Sequence, residues 1–230
     1  MTPLRFVAML VLGFACAHTL LPSAQVDAEL RTLLTGAVER SVARLTAPTA
    51  CAEEPAAGFD VAPALGPLAR ALHGTGRGAE VAALANALCA AGAGVTRELA
   101  PWLGEQARSF EAANPEELLT GASAPAATAF RTAIEPELGE RIGATLEGSL
   151  AEAGVRQAIE ALRDAARSLP LERDVPVDPD AVLRERWPET FFSVLAEEEA
   201  RLRADPADAL ARIASRRPPS TGGAALRGDR

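Results

Sequence analysis

Large apolar side chains recur at helical spacing along most of this chain, and this periodicity constrains its fold more than any other feature. The first such stretch contains Val26, Leu30, Leu33, Leu34, Ala37, Val42 and Leu45, which fall on one face of a helix. Alanine, a strong helix former, accounts for 51 residues, whereas the strand-forming residues valine and isoleucine together number 17. The sequence therefore predicts an all-α protein.

Proline and glycine divide this pattern into segments. We expect a loop over residues 47–62 and a short helix from Pro63. A helix over residues 79–91 is predicted to end at the glycines of residues 92–94, and Pro136 is predicted to begin a new helix. The expected architecture is a single-domain bundle of about ten short to medium helices.

Two later segments carry clear helix signals. Pro115 follows a capping residue, Asn114, in a small predicted helix that ends before Gly121. Gly139 and Gly143 lie one turn apart in the next long segment, a spacing that favours a close helix crossing. A long helix is predicted from Asp180 to about Ala204. Beyond it, Asp205 and Pro206 have the pattern of an N-cap followed by a proline in the first turn.

The N-terminus has the pattern of an export signal. Arg5 precedes an apolar run over residues 6–14, and Ala15-Cys16-Ala17 has the small-x-small form that signal peptidase cleaves. The apolar run is about a dozen residues, whereas a membrane-spanning helix needs roughly twenty. We expect residues 1–24 to be a signal peptide, cleaved after Ala17 or Ala24. A lipoprotein with lipid on Cys16 and a retained membrane anchor are the alternatives.

Export defines the expected compartment and domain limits. The protein is predicted to be periplasmic or secreted, with no stable membrane span after cleavage. Residues 25–214 are expected to form the helical domain. Residues 215–230 are polar, basic and rich in proline and glycine, and are expected to be disordered.

The cysteines that remain after cleavage, Cys51 and Cys89, are a disulfide candidate because disulfides persist in exported proteins. Such a bond encloses 37 residues and, on the chain-entropy model, stabilises the fold by about 4 kcal/mol. Two unpaired thiols are the alternative. A further alternative is a catalytic site in which His73 acts as the base for a thiolate nucleophile at Cys51, although no third, orienting residue is evident.

Charge and composition exclude several classes of function. The formal net charge is −8, which disfavours a nucleic-acid partner. Only two histidines occur, one of them within the predicted signal, so a histidine-built metal site is not expected. The run Gly74-Thr75-Gly76-Arg77-Gly78 has neither a preceding strand nor a following Gly-Lys-Ser/Thr, so the dinucleotide-binding and P-loop patterns both fail. We expect a flexible turn between helices, and a phosphate bound by the amides at the start of the next helix is the alternative. We expect no metal and no cofactor.

The C-terminal part of the predicted domain carries the most specific pattern. Residues 191–206 read Phe-Phe-Ser-Val-Leu-Ala-Glu-Glu-Glu-Ala-Arg-Leu-Arg-Ala-Asp-Pro. This run resembles the closing motif of a bacterial family called domain of unknown function 4197, in which an aromatic residue, a Glu-rich turn, an apolar-Arg pair and Asp-Pro follow one another. Leu30–Leu34 and Leu119-Thr120-Gly121 are similar to earlier parts of that family. The resemblance implies an exported helical protein, and implies no particular activity, ligand or catalytic residue.

The three consecutive glutamates of that motif are the main candidate site. At 100° per residue, Glu198 falls on the apolar face of its helix, whereas Glu197 points to solvent. Glu199 is predicted at the edge of that face, one turn before Arg203. A carboxylate on a buried face must be paired or protonated, and we expect Arg131 and Arg141 on facing helices to be the partners of Glu198.

These residues leave three functional hypotheses. The leading one is a non-enzymatic envelope protein that acts by binding an envelope protein or by structural interaction, with Glu198, Glu199, Arg203, Arg131 and Arg141 as binding candidates. The second is a carrier of a small apolar or lipidic ligand held between helices. The third is an enzyme that uses carboxylates near Glu198, although no catalytic residue can be assigned.

Overall fold

The computed structural model describes residues 23–53, 65–121, 124–167, 169 and 177–204. These residues form seven helices and one single helical turn, with no strand among them. The helical segments are α1 (Ser23–Leu45), α2 (Ala50–Glu53, the single turn), α3 (Pro67–Gly74), α4 (Gly78–Arg108), α5 (Pro115–Thr120), α6 (Pro125–Glu152), α7 (Val155–Ala166) and α8 (Pro179–Ala204). The all-α prediction is confirmed.

The long helix α4 lies at the centre of the bundle. It packs against α1, α6 and α7, and α8 packs against α1 and α6. The buried stripe of α4 includes Leu84, Leu88, Val95, Leu99 and Leu103. These leucines and valines face the neighbouring helices because burying each one removes apolar surface from water, at about 25 cal/mol per Å².

The predicted break at residues 92–94 is wrong, because α4 runs through it without interruption. Gly92 and Gly94 are buried. A Cβ atom built on Gly94 would lie 3.1 Å from Ser149 Oγ on α6. Glycine here permits the close approach of two helices, so the residue that looked like a helix breaker is a packing position.

The predicted break at Pro136 is also wrong, since α6 continues from Pro125 to Glu152. Pro136 lies on the exposed side of the helix, while Ile134 and Leu138 on either side of it are buried. A proline inside a helix costs roughly 3 kcal/mol. Burial of the apolar stripe that continues through Ile142 and Leu146 offsets this cost. Each of these two helices replaces two expected ones, and the helix expected after Asp205-Pro206 lies outside the described residues, so the described residues form seven helices where about ten were expected.

Three aromatic residues of α8 fill the space between α4 and α6. Trp187 stacks on Phe191 with ring centroids 5.1 Å apart, and Phe192 meets Phe191 edge-on. Trp187 Nε1 donates a hydrogen bond of 2.9 Å to Thr96 Oγ1, which in turn donates to the Gly92 carbonyl. The polar atoms of this cluster are therefore satisfied inside the core.

Of the described helices, α4 is long and apolar enough to cross a bilayer by length and composition alone. The central helix of a bundle passes the same test. Its leucines face other helices, and its exposed side carries Asn86, Arg97, Glu98 and Glu105.

Several predicted features lie outside the described residues. These are the cleavage site after Ala17, Cys16, Pro63, the Asp205-Pro206 cap and the C-terminal tail.

Candidate functional site

The three consecutive glutamates of α8 have different surroundings. Glu197 is about half exposed, with 49% of its side chain accessible. Glu198 is buried, at 5% exposure, and Glu199 is fully enclosed, at 0%. The placement of Glu199 at the edge of the buried face was therefore wrong. It assumed one covered face, whereas α8 is covered by α1 on one side and by the α5–α6 corner on the other.

Glu199 caps the beginning of α6. Its carboxylate oxygens accept hydrogen bonds from the backbone N–H groups of Ala126, at 3.2 Å, and Ala127, at 2.6 Å. Residue 124, just before the helix, is an alanine in the left-handed conformation and has no side-chain oxygen to make this cap. A carboxylate at the positive end of a helix is favourable. Glu199, on α8, thus supplies the capping oxygens that the residue just before α6 lacks.

Arg203 caps the C-terminal end of α5. Its Nε donates a 2.8 Å hydrogen bond to Glu199 Oε1. Its two terminal nitrogens donate to the carbonyl oxygens of Leu118 and Leu119, in the last turn of α5. A cation is favourable at the negative end of a helix. We call this pair the Glu199–Arg203 clamp, because it ties the end of α5 to the start of α6.

Glu198 pairs with arginines other than those expected. It contacts Arg201 on its own helix, and its Oε1 lies 3.6 Å from Arg44 Nη1 on α1. Arg44 also donates a 2.6 Å hydrogen bond to Glu197 Oε2. Glu197 and Glu198 therefore connect α8 to α1.

The predicted pairing of Glu198 with Arg131 and Arg141 was wrong, because Glu198 faces α1 and those arginines are on α6. Arg131 lies over the Phe192 ring, 5.4 Å from its centroid, and 3.6 Å from Glu189. Arg141 lies 4.7 Å from the centre of the Trp102 ring on α4. The five binding candidates are thus distributed over four places on the protein, and only Glu199 and Arg203 share one.

An open groove lies between α6 and α8, away from the clamp. Its volume is about 240 Å³, and its lining consists of Arg131, Glu135, Leu138, Gly139, Ile142, Arg184 and Pro188. Apart from its chain neighbours and the backbone of its own helix, no atom of the described residues lies within 4 Å of a Cβ built on Gly139, so space remains beside it. One turn further along α6, the guanidinium of Arg184 passes over Gly143. Its Nη1 lies 2.8 Å from the position that a Cβ atom on Gly143 would occupy.

Gly139 and Gly143 therefore do not make the close helix crossing that their spacing favoured. That crossing occurs at Gly94 and Ser149 instead. Gly143 leaves room for the side chain of Arg184, and Gly139 leaves open space. Neither Arg184 nor Glu135 forms an ion pair or a side-chain hydrogen bond within the described residues. We call this feature the α6–α8 groove.

A family model described as protein of unknown function (DUF4197) matches residues 21–216, which is most of the chain. The chain belongs to the DUF4197 family. No curated protein and no solved structure matches it significantly. The family match includes the Glu199–Arg203 clamp and the α6–α8 groove.

Cys51 and Cys89 of this DUF4197 protein are bonded to each other. A disulfide joins Cys51, in the α2 turn, to Cys89 on α4, and so attaches the segment after α1 to the central helix. With its sulfur in this bond, Cys51 has no thiolate to offer, and the proposed nucleophile with His73 as its base is excluded in this state. Among the described residues, no group of three or more His, Cys, Asp and Glu side chains is placed to hold a metal ion.

The sequence indicated some of these residues and missed others. The one-turn spacing of Glu199 and Arg203 predicted their contact correctly. Arg184 and Glu135 were missed, since they are ordinary exposed charges on helices until the two helices are placed side by side. Gly139 and Gly143 were the available signal, because two glycines in one helix leave unfilled space on its surface.

Proposed function

We propose that this protein is a non-enzymatic binding module of the cell envelope, exported to the periplasm, and that it binds its partner at the α6–α8 groove. Export is supported by the N-terminal sequence pattern. A binding role is supported by the groove itself, which places the guanidinium of Arg184, unpaired among the described residues, beside open space at Gly139. This observation carries the proposal.

The contacts that Glu198 and Glu199 already make within the protein support a binding role over catalysis. Glu198 and Glu199 are both ion-paired, and both oxygens of Glu199 accept backbone hydrogen bonds. A general acid or base must reach a proton on its substrate. A carboxylate that is enclosed and already used to cap a helix is poorly suited to that task.

The second candidate is a carrier of a small apolar or lipidic ligand. Large side chains, among them Trp187, Phe130 and Phe191, are fully buried and fill the spaces between the helices. An apolar ligand would therefore also use the α6–α8 groove, where Leu138, Ile142 and Pro188 offer apolar contact. The identity of the bound compound distinguishes the two candidates.

Native mass spectrometry of protein gently purified from the envelope tests the proposal. The informative variant is Gly139→Leu, which fills the groove from an exposed position. Gly148→Leu is its matched control, since Gly148 is an exposed glycine on the same helix outside the groove. We expect the wild type and Gly148→Leu to carry the same bound partner and Gly139→Leu to lack it. A partner retained by Gly139→Leu, or a wild type that carries none, would contradict the proposal.

A further inference from the structure

The two ends of the α6–α8 groove differ in charge. At one end, Arg131 lies 3.6 Å from Glu189, and Glu135 follows one turn along α6. One cation thus faces two carboxylates there. At the other end, Arg184 extends over Gly143, and it has no ion pair within the part of the chain that the structure describes. The groove is therefore negative at the Glu135 end and positive at the Arg184 end.

The separation of Glu135 and Arg184, neither of which is ion-paired among the described residues, sets the length of a complementary ligand. Glu135 and Gly143, over which Arg184 lies, are eight residues apart on α6, which corresponds to about 12 Å along the helix axis. An extended peptide covers roughly 3.3 Å per residue. The termini of a peptide of two or three residues fall within reach of both side chains, because each side chain can extend toward the ligand.

The floor of the groove fits an apolar side chain. Leu138 and Ile142 form it on α6 and Pro188 on α8, and the missing side chain at Gly139 leaves a gap between them. The volume of about 240 Å³ corresponds to about eight water molecules. It lies below the roughly 300 Å³ at which pockets for drug-sized ligands begin.

We propose that the α6–α8 groove binds a short peptide of two or three residues through both of its charged termini. The C-terminal carboxylate contacts Arg184, whose planar guanidinium can bind a carboxylate through two parallel hydrogen bonds. The N-terminal ammonium contacts Glu135, and an apolar side chain fills the gap at Gly139. This inference rests on the binding role proposed above and specifies its ligand.

Other ligand classes satisfy only part of the groove. An anion without a cationic group would approach Glu135 and Glu189 unfavourably at the other end, since like charges repel. A neutral apolar compound would leave Arg184 without a partner. A zwitterionic peptide is complementary to both ends and to the floor between them.

Isothermal titration calorimetry of the purified protein tests this proposal with three probes. These are the tripeptide Ala-Leu-Ala, the same peptide with an acetylated N-terminus, and the same peptide with an amidated C-terminus. The protein variants are Arg184→Gln, Glu135→Gln and Gly139→Leu. Arg186→Gln and Gly148→Leu are matched controls, because both positions are exposed on the same helices and lie outside the groove.

The free peptide is expected to bind, and blocking either terminus is expected to weaken its binding at least about 10-fold. Arg184→Gln should remove the preference for the free carboxylate, and Glu135→Gln the preference for the free amine. Gly139→Leu should abolish binding, while both controls bind as the wild type does. Because all five positions are exposed, the melting temperature of each variant verifies that it is folded.

Three results would overturn the proposal: no binding of the free peptide, equal binding of the blocked peptides, or affinity unchanged by Arg184→Gln in a folded protein. These results are distinct from failure of the proposed function. If Gly139→Leu displaces a co-purifying compound that is not a peptide, the groove remains a binding site and only the peptide assignment fails.

Discussion

Glu199 and Arg203, one helical turn apart on α8, join the last turn of α5 to the first turn of α6. The carboxylate caps the start of one helix and the guanidinium caps the end of the other. Each side chain also neutralises the charge of its partner, which offsets the free energy needed to bury an unpaired charge. The pair therefore joins α5, α6 and α8. The run of glutamates on α8 thus has a defined structural role in this protein.

Replacing Glu199 by Gln is expected to lower the free energy of unfolding by about 3 kcal/mol, because it leaves Arg203 and the capped backbone groups in a buried site without their anion. Glu197→Gln removes a half-exposed carboxylate and should cost less than about 1 kcal/mol. Urea unfolding monitored by circular dichroism measures both. Equal losses for the two variants would show that the clamp does not stabilise the fold.

The hydrogen bond between Trp187 and Thr96 predicts a coupling between these residues. Thr96→Val should cost about 1–3 kcal/mol of unfolding free energy, because it leaves the buried indole N–H without an acceptor. In a Trp187→Phe background, the same Thr96→Val change should cost much less, since no donor remains. A double-mutant cycle from urea unfolding measures the difference. Additive effects would mean that the hydrogen bond contributes nothing to stability.

Glycines in the long helices should respond oppositely to substitution. Gly94→Leu is expected to lower the free energy of unfolding by more than about 2 kcal/mol, because its side chain would overlap Ser149. Gly139→Ala should raise it by roughly 0.5–1 kcal/mol, because alanine favours the helix and meets nothing there. Melting temperatures measure both changes. Destabilisation by Gly139→Ala would show that the groove is closed.

Reduction of the Cys51–Cys89 disulfide is expected to lower the free energy of unfolding by about 4 kcal/mol on the chain-entropy model, since the bond joins residues 38 positions apart. Urea unfolding with and without dithiothreitol measures the loss. The double variant Cys51→Ser/Cys89→Ala serves as the control and should be insensitive to the reductant. A wild-type midpoint that does not change with reductant would argue against the bond or its contribution.

The sequence predicted those parts of the fold that local spacing determines. The 3.6-residue periodicity and the scarcity of β-branched residues indicated an all-α protein, and the long helix expected from Asp180 to about Ala204 runs from Pro179 to Ala204. The breaks expected at Gly92–Gly94 and Pro136 failed for a physical reason. Burial of a continuous apolar stripe outweighs the local preference of glycine and proline, and that burial depends on neighbours far away in the sequence.

The candidate site was predictable to the same limited extent. Glu199 and Arg203 are close in sequence, so their pairing follows from helical spacing alone. The hydrogen bonds from Ala126 and Ala127 to Glu199 cross more than 70 residues, and no local pattern indicates them. The α6–α8 groove likewise depends on two helices lying side by side, which the sequence of neither helix indicates alone.

Amide hydrogen exchange at Ala126 and Ala127, followed by NMR in the wild type, Glu199→Gln and Glu197→Gln, tests the central claim most directly. If the motif glutamate is a helix cap, both amides are protected in the wild type and in Glu197→Gln, and exchange much faster in Glu199→Gln. Protection that is unchanged in Glu199→Gln would contradict the account, because the carboxylate would then be free for another role.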